Sequence, residues 1–240
     1  MKSRIPAFLL SLLITSAVNG QFRLSATAGP QWSNLKLMPG GGYSEQDLQG
    51  YIQKRTALHI GLEADIPLEF SEKFSLVTGL SFSGKGRKFN RINPEEVASV
   101  TDTLIARSDL YTNYMQFPLL LTYHLKRIGN KTFTVGGGAY GAFFLNGKSV
   151  SETRLFSTNK YTREEMGMTV GKGVNSVRTF DGGLSARVTM DAGKFKISAF
   201  YLHGLTKAYT NGNGNGYRQR TAGISIGIWL MNEVKIGRAH

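Results

Sequence analysis

His59 and Glu63 are four positions apart, and each has the chemistry of half a catalytic dyad. An imidazole can act as general base and a carboxylate can orient it. Both fall on one parity of the segment 56–68, TALHIGLEADIPL. Four residues of extended chain span about 13 Å. A working site would therefore need a third group from a neighbouring element. The bland alternative is an interior imidazole held by a hydrogen bond, and the same choice applies to His124. Arg23, Glu63, Asp65, Asp181, Arg187 and Lys196 also share the polar parity of their segments. Buried together they must pair or neutralise, either as an ion-pair plug or as a gated, proton-linked pore. The chain has no cysteine, which removes disulfides, thiolate metal sites and thiol nucleophiles. No residue pattern implies a cofactor or a metal. Gly136, Gly138 and Gly141 match a dinucleotide-binding pattern as letters. That motif opens a helix, whereas here the glycines run on into Phe143, Phe144 and Leu145.

The elements that must position these groups are strands. In 56–68 Leu58, Ile60, Leu62, Ala64, Ile66 and Leu68 occupy the other parity, and period two over this length predicts a strand. The alternation recurs in 22–28, 74–83, 132–144, 179–190, 195–203 and 220–230. It recurs again in 110–125, where Met115, Phe117, Leu119, Leu121, Tyr123 and Leu125 share a face. Pro118 speaks against an unbroken helix there and predicts a local irregularity in the strand. Eight strands result. The connections 69–73, 126–131 and 191–194 are short, while 33–55, 84–109, 145–177 and 204–219 are long. Strict alternation of short and long predicts turns at one end of an up-and-down sheet and loops at the other, as in outer-membrane barrels.

Face chemistry points the same way. The apolar parity carries no Asp, Glu, Lys or Arg in any of the eight strands, and the polar parity is rich in Gly, Ser, Thr and Ala. A lysine or arginine facing mid-bilayer costs roughly 2–4 kcal/mol. A narrow, filled interior suits small side chains. Phe133 and Phe143 bracket one apolar face, and ten residues of tilted strand rise about 25 Å, the height of an outer-membrane apolar band. Phe22, Phe74, Tyr123, Phe133, Phe195 and Trp229 are expected at the turn-end girdle. Trp32, Phe82, Tyr111, Phe143 and Tyr201 are expected at the loop end. Eight strands leave no room for a wide pore.

The chain of 240 residues carries 29 Lys+Arg against 16 Asp+Glu, a net charge of +13. Residues 1–20 read as an export signal. Lys2 and Arg4 precede an apolar stretch too short to span a bilayer, and Val18 and Gly20 suit a cut before Gln21. The barrel is expected over 21–231, with 232–240 a short tail. Lys85, Arg87, Lys88 and Arg91 form a basic run in the second long connection, and Lys207, Arg218 and Arg220 flank the fourth. An exported barrel has little access to nucleic acid. Lipopolysaccharide phosphates are the better partner for such guanidinium groups, against the alternative of a solvated loop. The run NGNGNG at 211–216 reads as a loop tip.

The stretch YMQFPLLLTY at 114–123 resembles the Y-x-(E/Q)-(I/F)-P-L-L-L-x-Y strand of PorT-like outer-membrane β-barrel proteins. TVGGGAYG at 134–141 is similar to the glycine-rich strand that follows it there, and FDGGLSA at 180–186 to the start of the next hairpin. The resemblance implies an eight-stranded barrel integral to the outer membrane of a Gram-negative-type cell, with no catalytic residues and an association with secretion that no residue here carries.

The expectation is an all-β, eight-stranded antiparallel up-and-down transmembrane β-barrel. Its role is structural or interactive, through four external loops that contact outer-membrane lipid, lipopolysaccharide or a protein partner. The alternatives are a lipid-modifying barrel enzyme using His59 and Glu63, and a soluble lipocalin-like carrier.

Overall fold

The computed structural model describes residues 22–37, 52–68, 71–89, 103–129, 131–155, 160–171, 173, 176–210 and 216–231. The expected leader with its cut between Gly20 and Gln21, the tail 232–240 and Arg91 lie outside them. Alternation dictates what forms: β1 (Arg23–Leu37), β2 (Ile52–Leu68), β3 (Ser71–Phe89), β4 (Thr103–Ile128), β5 (Lys131–Leu155), β6 (Lys160–Gly167), β7 (Thr169–Val170), β8 (Ser176–Val177), β9 (Phe180–Ala192), β10 (Phe195–Gly204), β11 (Tyr209–Thr210) and β12 (Gly216–Met231). Eight of these close a ring in the order β1-β2-β3-β4-β5-β9-β10-β12, sealed by antiparallel pairing of β1 with β12. Closure leaves the staves without an unpaired edge. No helix among the described residues is long and apolar enough to cross a membrane.

The distribution of side chains is inverted relative to a protein folded in water. Leu58 is 70% exposed, Ile226 62% and Leu119 49%, while Ser25, Gln31, Ser33, Lys85 and Asp181 are at or within one per cent of complete burial. Hydroxyls and amides stitch the inner face. Gln31 Nε2 donates to Ser83 Oγ at 2.9 Å, and the Ser75 and Thr122 hydroxyls meet at 2.7 Å. Such a wall is stable only against hydrocarbon. Around the loop ends of the staves the exposed aromatics Trp32, Phe82, Phe117, Phe143, Phe180 and Tyr201 form a belt. Phe180, Phe143, Met115 and Phe82 are direct cross-strand neighbours within it.

Trp229 departs from the expected turn-end girdle. It is 8% exposed and points inward, because it shares the parity of Thr221, Ser225 and Gly227 rather than that of Ile228. At Pro118 the expected local irregularity takes the form of a lapse in pairing. β4 pairs β5 through Pro118↔Tyr140 without a shift. On the β3 side the pairing lapses between Thr78↔Leu119 and Ser81↔Gln116 while the register is kept. The missing N–H costs ladder bonds but makes no bulge.

The long connections are shorter than expected because the strands run on. β4 has 26 residues and β5 has 25, against about 10 needed to cross a bilayer. Their loop-end halves pair with each other, and β6 returns along β5 from Leu155↔Lys160 to Lys148↔Gly167. A three-stranded ribbon therefore projects beyond the apolar band.

Parts of the third and fourth expected loops fold inward instead of out. Val177 of β8 is fully buried among Tyr114, Tyr140, Ala142 and Leu202, which are inward residues of β4, β5 and β10. Backbone bonds from Arg178 N to Ala208 O (3.0 Å) and from Ala208 N to Tyr217 O (2.8 Å) tie this stopper to β12.

Candidate functional site

The inward charges fall into two groups rather than one network. Toward the turn end, β2 supplies Glu63 and Asp65, β9 supplies Arg187 and β10 supplies Lys196. Glu63 Oε1 accepts from Arg187 Nη1 at 2.8 Å, and its Oε2 accepts from Lys196 Nζ at 2.7 Å. Asp65 Oδ2 accepts from Arg23 Nη2 at 2.6 Å. The Trp229 ring lies under both cations, 4.3 Å from the Arg23 guanidinium carbon and 4.8 Å from Lys196 Nζ. Buried charges joined by short, charge-assisted bonds and an aromatic face hold one another in place.

Toward the loop end stands a second group built on Asp181. Its Oδ2 accepts from Lys85 Nζ at 3.2 Å and from the Tyr140 hydroxyl at 3.1 Å, and its Oδ1 accepts from Thr206 Oγ1 at 2.9 Å. Lys85 Nζ also faces the Tyr114 and Tyr140 rings, at 5.1 and 4.7 Å. Lys85 and Asp181 are both fully buried. Thr206 belongs to the inward-folded segment, so this group fastens the stopper.

Lys85 corrects the expectation of a basic external loop. It continues the inward parity of Ser81 and Ser83 along β3 and never reaches solvent. Arg87 follows on the same parity and stacks on the Tyr217 ring at 5.0 Å, and Lys88 is paired opposite Gln53 within the β2–β3 ladder. The described members of the run, Lys85, Arg87 and Lys88, thus belong to β3, and they point to different surroundings. Arg218 and Arg220 lie on β12 opposite Lys36 and Asn34 of β1, on the outward parity above Trp32 and Tyr201.

The two histidines do not build a dyad with a carboxylate. His59 is 8% exposed, its ring meets Phe200 edge-on at 5.0 Å, and its Nδ1 has no partner among the described residues. Both Glu63 oxygens are engaged by cations. His124 Nδ1 lies 3.1 Å from Thr134 Oγ1 near the turn end. No group of three or more metal-ligating side chains occurs among the described residues.

The lumen around these groups is filled. One cavity of about 20 Å³ is lined by His59, Glu63, Gln116, Arg187 and Phe200, and another of about 20 Å³ by Asp65, Asp191, Lys196 and Trp229. Each has room for roughly one water. Within the two groups four cations (Arg23, Lys85, Arg187, Lys196) face four carboxylates (Glu63, Asp65, Asp181, Asp191), with Arg87 above them stacked on Tyr217. The arrangement neutralises and blocks; it offers no wide path for solute.

The glycines of 136–141 have a packing role. A Cβ at Gly138 would lie 2.1 Å from the Leu119 carbonyl oxygen, whereas one at outward Gly137 would find its nearest neighbour at 4.0 Å. Gly138 permits close approach of β4 to β5.

Residues 15–210 match the family description "Outer membrane protein beta-barrel domain". Among solved structures, the attachment invasion locus protein Ail of Yersinia pestis aligns at 14% identity, covering 88% of this chain and 99% of that one, with a TM-score of 0.36. OprG of Pseudomonas aeruginosa aligns at 12% identity over 89% of this chain and 97% of that one, TM-score 0.44. Neisserial surface protein A aligns at 7% identity over 85% and 96%, TM-score 0.38. No curated protein matches the chain in sequence.

Proposed function

Since the chain belongs to the outer membrane protein beta-barrel domain family, we propose that this barrel is closed to solutes and acts through its external face rather than its lumen. The observation that carries this reading is the double block: Val177 seated among Tyr114, Tyr140 and Leu202, and Glu63 clamped by Arg187 and Lys196 below. An interior sealed at two levels transports nothing of size. Among the described residues, the projecting β4–β5–β6 ribbon and the basic residues at the loop end are available. Arg218 and Arg220 stand above the exposed rings of Trp32 and Tyr201, at the height of outer-leaflet phosphates. Contact with lipopolysaccharide phosphate, or with an anionic partner presented at the surface, is the reading these residues support.

The enzymatic alternative has little to stand on, because Glu63 is committed to two cations and His59 to an aromatic edge. A soluble carrier does not fit an outer-membrane family. The PorT-like reading rests on YMQFPLLLTY at 114–123, and a part in secretion would then fall to the ribbon. The test is twofold. Planar bilayers holding the purified barrel should stay electrically quiet, and immobilised lipopolysaccharide should retain the wild type but not Arg218→Glu/Arg220→Glu. Steady conductance in the wild type, or equal retention of the charge-reversed variant, would defeat the proposal. A lipid A modification assay with His59→Ala addresses the enzyme reading: activity in the wild type that this variant lost would revive it.

A further inference from the structure

An open groove of about 590 Å³ lies where β9 begins, between the inward-folded segment and Phe180 of the aromatic belt, lined by Gly171, Arg178, Thr179, Phe180, Thr206 and Lys207. It contains two cations and no carboxylate. Neither Arg178 nor Lys207 has an ion-pair partner among the described residues, and Arg178 Nε is buried without a hydrogen bond among them. Two cations lining one groove without a carboxylate repel, and an anion bound there would relieve the repulsion.

The groove is built rather than incidental. Arg178 N donates to Ala208 O at 3.0 Å, which joins its two rims. Thr206 is fixed from two sides: Gly182 N donates to its Oγ1 at 2.9 Å, and that hydroxyl donates to Asp181. The Lys207 stem runs across Gly216, where even a single Cβ would stand 2.4 Å from Lys207 Cε. Glycine at 216 therefore sets the course of the lysine.

Its position defines the other half of the ligand. Phe180 is 46% exposed and belongs to the aromatic belt, packed against Phe143 at 5.4 Å, with Phe143 against Phe117 at 5.9 Å. Below it on the same face come Leu184 and Val188, both more than half exposed. The Phe180 ring lies over Gly141 and Gly182, 3.0 to 3.1 Å from where their Cβ atoms would be. Through Phe180 the groove thus joins its two cations to the apolar outer face.

We propose that this groove binds a phosphate-bearing amphiphile of the outer leaflet. The phosphate sits between Arg178 and Lys207, a hydroxyl contact comes from Thr179, and an acyl chain runs down past Phe180. The inference rests on the reading that the apolar wall faces the outer membrane, and it adds a ligand class and a site to it. The test is native mass spectrometry of the full barrel in dodecyl maltoside, with dimyristoyl phosphatidic acid as the probe and the phosphatidylcholine of the same chains as the control. A one-to-one phosphatidic acid adduct is expected, with none from phosphatidylcholine at equal concentration. Arg178→Gln or Lys207→Gln should weaken it about tenfold each, the loss of one charge-assisted contact. Lys207→Arg should keep it. Gly216→Ala, which leaves both cations in the chain but diverts the Lys207 stem, should weaken it severalfold.

An adduct that survives Arg178→Gln/Lys207→Gln unchanged would overturn the assignment. So would its displacement by inorganic phosphate at equal concentration, since the acyl half would then contribute nothing. Heat-modifiable migration of the same samples separates the two levels. A folded barrel that fails to hold the probe sinks the groove alone. Wild type without heat-modifiable migration would sink the outer-membrane barrel beneath it.

Discussion

Glu63 and Lys196 are 133 positions apart in the chain and meet at 2.7 Å inside the barrel. The contact exists because β2 and β10 face each other across the lumen, each presenting its inward parity. Glu63 is also the acceptor of Arg187, so one carboxylate balances two cations.

Glu63→Ala would leave Arg187 and Lys196 buried, close together and without their acceptor. Breaking a buried ion pair from one side costs about 3–5 kcal/mol. The variant should unfold at lower denaturant in a heat-modifiable migration assay. It should also let ions through in planar bilayers, where the wild type stays quiet. Glu63→Gln, with the volume kept, should separate the electrostatic part from the loss of packing.

Lys85 and Asp181 make a second buried pair, closer to the loop end. Lys85→Met alone strands Asp181, and Asp181→Asn alone strands Lys85, so each should destabilise by several kcal/mol, roughly the 3–5 kcal/mol of a broken buried pair. The double variant removes both charges and should recover part of the loss. The double-mutant cycle is then expected to show a coupling of about 1–3 kcal/mol. Additive costs would mean that the two groups do not interact.

Two adjacent glycines should respond in opposite ways. Gly138→Ala forces a Cβ against the Leu119 carbonyl, whereas Gly137→Ala adds a methyl to the open outer face. The first should cost roughly 2 kcal/mol or more, through strain at a close backbone approach. The second should stay within about 0.5 kcal/mol. Folding yield into detergent and denaturant midpoints would measure both.

On the projecting ribbon, Glu165 accepts from Lys148 Nζ at 2.9 Å and from Arg163 Nη2 at 2.8 Å. These hydrogen bonds, the one from Lys148 foremost, hold the Glu165 carboxyl below the usual carboxylate range. A depressed folded-state value means the contribution is present above the ordinary glutamate range and fades as pH falls through the lowered value. The Glu165 titration midpoint followed by NMR should therefore rise toward the ordinary range in Lys148→Ala. An unmoved midpoint would show that the pair is not formed in solution.

The staves were legible because the bilayer imposes contrast. Leu58, Ile60 and Leu62 face lipid while His59, Gly61 and Glu63 do not, and period two records the difference. Above the membrane that contrast vanishes. In the loop-end half of β5 both faces meet polar surroundings, so Lys148–Leu155 has a loop-like composition although it pairs with β6 throughout. Lys85 sits in the basic run GKGRKFNR, whose composition suggests a solvated loop, while extending the parity of Ser81 and Ser83 by one step places it inside. The residue type of Trp229 suggests an interfacial, outward ring, but its parity with Thr221 and Ser225 places it inside. The stopper left no trace in the sequence, because Val177 and Ala208 are buried by long-range packing rather than by any local period. The inward charges Glu63, Arg187 and Lys196 share a parity, and this signalled that they belong inside. Which of them meet depends on strand order and register, and no single segment contains that information.

The uncharged parity of each stave touches hydrocarbon. The chain has no cysteine, so introduced thiols report without background. Leu119→Cys, Ile60→Cys and Ala186→Cys should resist a water-borne, membrane-impermeant maleimide in intact native envelopes, while Lys160→Cys on the exposed β6 strand should react readily. Rapid labelling at Leu119→Cys, Ile60→Cys and Ala186→Cys in a folded barrel would contradict the account.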